Sequence, residues 1–156
     1  MMSKRLRSLA RLLFAALAVG ACHTLPVAEA PSEFAALKPQ TRQEALRAVS
    51  SSGVVYRVRV ERDGPKASLA FWAEALTRKL KEDGYTVLSS GPLAVAGRDG
   101  MAVETVAPVG ETDYGYMVAV TARGDELLIA EAAGERKAVD HLKPAIRDAL
   151  AHIAWP

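Results

Sequence analysis

Five short segments in the second half of the chain alternate with a period of two residues. They are YTVLS (85–89), LAVAG (93–97), MAVETVA (101–107), YGYMVAVTA (114–122) and ELLIAEAA (126–133). The sequences that separate them are short and contain the Gly, Pro, Asp and Ser residues typical of tight turns. Connections this short join antiparallel neighbours, because a parallel pair needs a longer crossover. The pattern predicts an antiparallel sheet with 114–122 and 126–133 at its centre, since both faces of these two segments are apolar.

Before this sheet, a strand and two helices are predicted. Residues 54–61, VVYRVRVE, alternate apolar positions with Arg57 and Arg59, which predicts a half-buried strand. Residues 68–83 carry apolar side chains at three- and four-residue steps, with Ser68 as N-cap and Gly84 as the stop. Thr41 and Glu44 fit a capping box, which predicts a short helix over 41–49.

The C-terminal segment, 135–153, predicts a further helix. Its apolar stripe is made of Val139, Leu142, Ile146, Leu150 and Ile153. Pro144 falls inside the stripe, so we expect a kink or the start of a second helix there. The predicted fold class is α+β, with an antiparallel sheet of about five to six strands sandwiched between helices.

The N-terminus has the composition of a secretory signal. Lys4, Arg5, Arg7 and Arg11 precede the ten-residue stretch LLFAALAVGA, and Cys22 follows it. A membrane-spanning helix needs roughly 20 apolar residues, so this stretch is too short to remain as a stable span. A basic region, a short apolar region and small residues before a cut predict a signal peptide over residues 1–21.

Val19-Gly20-Ala21-Cys22 resembles the lipobox of bacterial lipoproteins. The resemblance implies cleavage between Ala21 and Cys22, diacylation of the Cys22 thiol and, in many members, acylation of the new amine. Two or three acyl chains hold a protein stably on a membrane. His23 stands where Asp retains similar proteins in the inner membrane, so we expect an outer-membrane lipoprotein whose domain faces the periplasm.

Residues 22–40 are predicted to be a lipid-anchored tether, and residues 41–156 a single domain. Pro26, Pro31 and Pro39 disfavour helix in this stretch, which has no sustained period. A tether would lift the domain off the membrane. The alternative is a segment packed on the domain through Phe34 and Leu37.

Charge and composition exclude several function classes. Four of the 20 Lys and Arg residues, and none of the 18 acids, precede Cys22, so the remaining chain is slightly acidic. Nucleic-acid binding needs a concentrated basic face, and we expect none. Cys22 is the only cysteine, which excludes a disulfide within the chain.

No catalytic or metal-binding motif is found, and we expect neither an enzyme nor a bound cofactor or metal. His23 lies in the predicted tether, and His141 and His152 are eleven residues apart, which is about 16 Å along a helix. The acidic pairs Glu111/Asp113 and Glu61/Asp63 flank turns, where solvated side chains are expected.

Three other polar features have a structural and a functional interpretation. The tripeptide Arg123-Gly124-Asp125 matches a cell-adhesion motif, but a hairpin turn accounts for it. Glu104 and Glu131 are acids inside predicted strands. They indicate either solvent-facing positions at sheet edges or a surface for a partner.

The order of elements also resembles the PsbP-like and DcrB-like domains of secreted and envelope proteins. The similar residues are Trp72 to Leu80, Gly84-Tyr85, Arg98-Asp99-Gly100, Tyr116 to Val120 and Leu128 to Gly134. The resemblance implies an antiparallel sheet between helices over about residues 54–155. It implies no active site, because members of these families act as assembly factors and binding adaptors.

Two functional hypotheses follow. The first is a non-catalytic cell-envelope lipoprotein that binds an envelope protein as an accessory or assembly subunit. The second is a carrier of a small ligand or lipid, which predicts a cavity near Trp72, Tyr114 and Tyr116.

Overall fold

The computed structural model describes residues 24–62 and 66–156, which form one seven-stranded antiparallel sheet and two helices. The elements in chain order are β1 (Phe34–Leu37), β2 (Glu44–Ser50), β3 (Val55–Glu61), α1 (Leu69–Glu82), β4 (Thr86–Pro92), β5 (Met101–Val109), β6 (Thr112–Arg123), β7 (Glu126–Glu135) and α2 (Arg136–His152). The order across the sheet is β1-β2-β3-β7-β6-β5-β4. β7 is therefore the central strand with β6 beside it, which confirms the prediction from their two apolar faces.

Local sequence determines the hairpin between β6 and β7. Arg123 pairs with Glu126, and Gly124 between them has φ +62°, a conformation that glycine adopts without strain. Residues 93–97, which were predicted to form a strand, form a turn instead. Ala96 and Gly97 have φ of 53° and 65°, and Val95 and Arg98 bond each other through their backbones.

Helix α2 packs on one face of the sheet. Four of the five residues of the predicted stripe are its buried side chains, and they share one hydrophobic core with residues of β3, β6 and β7 that include Tyr56, Val58, Ala119 and Leu128. Pro144 lies on the exposed side of one continuous helix, not at a break between two. Lys143 and Arg147 each bond the Glu104 carboxylate on β5 at 2.8 Å, so Glu104 holds α2 on the sheet.

Helix α1 packs on the opposite face, against β4, β5 and β6. The Ser68 hydroxyl accepts a hydrogen bond from the Phe71 N–H at 3.1 Å, which confirms the predicted N-cap. Ala73 and Leu80 are buried, whereas Trp72 and Leu76 are only partly covered. Part of the apolar surface of Trp72 and Leu76 therefore remains accessible on α1.

The predicted fold class, five to six strands sandwiched between helices, is wrong. The described residues form a single sheet of seven strands with only two helices, so the domain is mostly sheet. The segment predicted as a helix over 41–49 is β2, which pairs with β1 on one side and β3 on the other. Glu44 does not cap a helix; its side chain accepts bonds from Arg47 and from the Gln40 N–H.

Residues assigned to the tether also contact the domain. Pro26 and Pro31 are buried, and Leu25, Ala28 and Phe34 pack against the core on the α2 face. Phe34 meets Tyr56 edge-on at 6.2 Å between ring centroids. Where the structure describes it, the segment from residue 24 onward therefore follows the alternative of packing on the domain through Phe34, although Leu37 is exposed. Pro26 and Pro31 are therefore part of the packed segment.

Replacing Tyr56 with phenylalanine is expected to stabilise the protein by about 1 kcal/mol. The Tyr56 hydroxyl is buried and has no hydrogen-bond partner among the described residues, and its burial raises the pKa of Tyr56. Urea unfolding of Tyr56→Phe tests this, with Tyr116→Phe as control, because the Tyr116 hydroxyl donates to Glu131 and its loss should destabilise. A less stable Tyr56→Phe would contradict the prediction.

Candidate functional site

One face of the sheet combines a charged area with helix α1. Among the described residues, α1 packs on this face over β4, β5 and β6, and the neighbouring strands β2, β3 and β7 carry charged side chains there. Arg57 lies opposite Arg47 on β2 and opposite Glu131 on β7. We call the set Glu44, Arg47, Arg57, Arg59 and Glu131 the arginine face.

Glu131 is the centre of the arginine face. Its Oε2 atom accepts bonds from Arg57 Nη2 at 2.6 Å and from Arg59 Nε at 3.2 Å, and its Oε1 atom accepts the Tyr116 hydroxyl at 2.6 Å. The side chain is only 12% exposed. Burial raises the pKa of Glu131, but the bonds from Tyr116 and Arg57 outweigh it and hold that pKa below its ordinary value. Glu131 is therefore a fixed anion, and burial together with this bond raises the pKa of Tyr116.

Glu44 is the second fixed anion. It accepts a bond from Arg47 Nη2 at 2.7 Å and one from the backbone N–H of Gln40 at 2.7 Å. The bond from Arg47, aided by that from Gln40, outweighs burial and lowers the pKa of Glu44 to about 2. Arg57 Nη1 lies 3.7 Å from Glu44 Oε1, so Arg57 connects the two anions.

The three arginines of the arginine face are all paired, with its two glutamates and with Glu61 beside it. Glu44 and Glu131 face Arg47 and Arg57, and Arg59 is paired both with Glu131 and with Glu61. This pairing differs from an anion-binding site, which would keep cationic groups free for a ligand. The paired side chains still remain partly accessible, since those of Arg57 and Arg59 are 34% and 22% exposed.

A groove of about 220 Å³ runs between α1 and the sheet beside the arginine face. Its apolar lining comes from Trp72, Leu76, Leu127 and Ile129, among others. Its polar lining residues are Arg59, Glu61, Asp125 and Glu126. Arg59 belongs to both features, so the groove and the arginine face form one continuous surface.

Exposed aromatic surface lies next to the groove. The Phe71 ring meets the Trp72 ring edge-on at 5.5 Å and is itself 51% exposed. Arginine, tryptophan and tyrosine are the residue types that contribute most to protein–protein binding energy. The site has the composition of a docking surface with an apolar centre and a charged neighbourhood.

The carboxylates of this site are suited to ion pairing. Each lowered pKa keeps its group ionised at neutral pH, whereas a general acid needs a raised pKa. Within residues 24–62 and 66–156, no group of three or more His, Cys, Asp and Glu side chains could hold a metal ion. The arrangement can bind a complementary surface through guanidinium groups and an apolar groove.

The structure places the sequence-predicted residues in separate regions. Ala21, Cys22, His23 and Asp63 lie outside the described residues. His141 and His152 are exposed on α2, and Glu111 and Asp113 are exposed at the turn between β5 and β6. Arg123, Gly124 and Asp125 form the β6–β7 turn, as the structural interpretation predicted.

The cavity predicted near Trp72, Tyr114 and Tyr116 does not form as one site. Trp72 lines the groove, Tyr116 bonds Glu131 on the arginine face, and Tyr114 is 40% exposed. Glu104 and Glu131 are not at sheet edges: Glu104 bonds α2, and Glu131 lies on the central strand. Sequence reasoning missed the Arg57–Glu131 pair, and its only sequence signal was an acid inside an apolar strand.

Comparison with solved structures defines the fold as PsbP-like. The chain is similar to LpqN of Mycobacterium tuberculosis, a protein involved in cell envelope biogenesis, with TM-score 0.65 and 10% identity over 81% of this chain and 80% of that one. It is similar to CyanoP, the cyanobacterial PsbP of Synechocystis, with TM-score 0.53 and 10% identity over 78% of this chain and 81% of that one.

A third similar structure is PA94 of Pseudomonas aeruginosa, a protein of unknown function, with TM-score 0.58 and 11% identity over 82% of this chain and 85% of that one. No protein-family model matches the sequence, and no curated protein matches it. At these identities the comparisons show the fold alone. Among the described residues, neither helix is long and apolar enough to cross a membrane.

Proposed function

We propose that this chain is a non-catalytic cell-envelope lipoprotein that binds a protein partner as an accessory or assembly subunit. Its anchor is the acylated Cys22, and its domain faces the periplasm from the outer membrane. The observation that carries the proposal is the continuous surface made by the arginine face and the groove at Trp72.

The ion pairs that hold the arginine side chains in place support this surface as a binding site. Arg57 and Arg59 are held by Glu131, and Arg47 is held by Glu44, before any partner arrives. Ordering a long side chain at an interface costs about 0.5–1.5 kcal/mol. The internal ion pairs already order these arginine side chains in the free protein, so binding would require less additional ordering. The similarity to LpqN, which is involved in cell envelope biogenesis, supports an envelope role.

The size of the groove favours a protein partner over a carried ligand. Small-molecule sites enclose about 300–1,000 Å³, and the groove at Trp72 has about 220 Å³. It suits one or two apolar side chains of a partner better than a lipid chain. Tyr114 and Tyr116, which the carrier hypothesis placed in the cavity, do not line it.

Site-specific photo-crosslinking in intact cells tests the proposal. The tagged full-length chain carries a photoreactive residue at Ala67, which lines the groove, or at Lys137, which is exposed on α2. We expect one envelope protein to be captured from position 67 and not from position 137. We also expect Cys22→Ser to lose acyl labelling, and either to keep its signal peptide uncut or to become soluble.

Three results would contradict the proposal. Equal capture from positions 67 and 137 would argue against docking at the groove. Lipid that co-purifies without any protein would favour the carrier. Acyl labelling that persists in Cys22→Ser would refute the anchor.

A further inference from the structure

The N-terminal segment is fixed to the C-terminus of the domain. The Val27 N–H donates to the Ala154 carbonyl at 2.8 Å, and the Ala154 N–H donates to the Val27 carbonyl at 2.9 Å. Val27 therefore has a set position just beyond the end of α2. Its side chain is 67% exposed.

This point lies at the same end of the sheet as the groove. Trp155 follows Ala154, and the Arg123 guanidinium lies 4.4 Å from the centre of its ring. Arg123 Nη2 bonds Glu126 Oε2 at 2.6 Å, and Glu126 lines the groove. The β6–β7 turn, the groove and Val27 are thus neighbours.

The chain between the proposed anchor and this point is short. Cys22 and Val27 are five residues apart, so their Cα atoms can be separated by at most about 18 Å. Strand β6 has 12 residues and spans roughly 36 Å, from the β5–β6 turn at one end of the sheet to the β6–β7 turn at the other. The segment between Cys22 and Val27 can therefore span at most about half the length of β6.

From these contacts we propose that the end of the sheet carrying the β6–β7 turn faces the lipid headgroups, with the groove opening beside the bilayer. This orientation rests on the proposed acylation of Cys22. It replaces the predicted function of the tether, since a span this short holds the domain against the membrane. The groove's partner must then present its docking segment close to the membrane surface.

A labelling experiment at the two ends of β6 tests the orientation. With Cys22 acylated, the chain has no other cysteine, so Asp125→Cys and Glu111→Cys each supply one thiol for a fluorophore. Both residues are exposed in hairpin turns, which makes Glu111→Cys the matched control. The acylated proteins are placed in phosphatidylcholine vesicles that contain a nitroxide on the lipid headgroups. We expect the label at 125 to lose most of its fluorescence and the label at 111 to retain it.

The possible results distinguish a failure of the proposed anchor from a failure of the proposed orientation. A protein that fails to float with vesicles overturns the proposed anchor, and the orientation with it. A floated protein whose label at 111 is quenched as strongly as its label at 125 overturns the orientation alone. A Gly/Ser spacer of about twelve residues inserted after His23 adds roughly 20 Å of reach and should restore fluorescence at 125. Quenching that is unchanged by the spacer would overturn the argument from the short span.

Discussion

Replacing Gly100 with alanine is expected to lower the free energy of unfolding by about 3 kcal/mol. A Cβ atom at this buried position would lie 2.7 Å from the Leu93 carbonyl oxygen and 2.8 Å from the Val120 carbonyl oxygen. Both are backbone atoms, so no side chain can rotate to make room. The Leu93 N–H also donates to the Gly100 carbonyl at 2.9 Å, and displacement of the backbone would strain that bond.

Gly91→Ala is the matched control for Gly100→Ala. Gly91 lies on the edge strand β4 without a positive φ, and nothing lies within 4 Å of the Cβ it would gain. Alanine should be neutral there or stabilise by up to about 1 kcal/mol, because it reduces the freedom of the unfolded chain. Urea unfolding followed by circular dichroism measures both. A Gly100→Ala protein as stable as Gly91→Ala would mean that the turn after residue 93 can relax.

The elements that sequence predicted well are those defined by local signals. The continuous apolar runs of β6 and β7, with Gly124 at the turn between them, need no knowledge of distant residues. Helix α1 likewise has its own N-cap at Ser68 and a glycine with φ +89° at Gly84. In both cases pattern, turn chemistry and burial agree.

The N-terminal strands could not be predicted, because their local sequence pattern is ambiguous. EALRAVS, the β2 sequence, places Ala45, Leu46, Ala48 and Val49 at spacings that fit a helix as well as a strand. Pairing with β1 and β3 decides between them, and that information is long-range. Pro26 and Pro31 were interpreted as linker residues because proline has no backbone N–H group to donate. Their burial against the core depends on residues far away in the chain, and the local sequence does not indicate it.

The arginine face shows the same limit at the level of the site. Alternation in β3 predicted that Arg57 and Arg59 lie on one side of the sheet. Their partner Glu131 is 74 residues from Arg57, and it becomes a neighbour only because β7 inserts beside β3. Individual outward positions were therefore predictable, but the network was not.

Glu131→Gln is expected to lower the free energy of unfolding by about 2 kcal/mol at pH 7, since hydrogen bonds to charged groups contribute about 1.5–3 kcal/mol. The amide has nearly the shape of the carboxylate, so packing is preserved and the charge is removed. Arg57 and Arg59 then lose the anion that holds them. Glu111→Gln, at an exposed turn, is the control and should change stability by less than about 0.5 kcal/mol.

The difference between wild type and Glu131→Gln should depend on pH in one direction. The bonds from Tyr116 and Arg57 outweigh burial and hold the pKa of Glu131 below its ordinary value of 4.5, so its carboxylate stabilises the folded protein above that pH. This contribution is lost as the pH falls through the lowered pKa of the folded state, when Glu131 takes up a proton. Urea unfolding at pH 7 and at successively lower pH should therefore show the two proteins converging in acid. A difference that stays constant down to the lowest pH at which both fold would mean that packing, and not the charge of Glu131, holds the arginine face together.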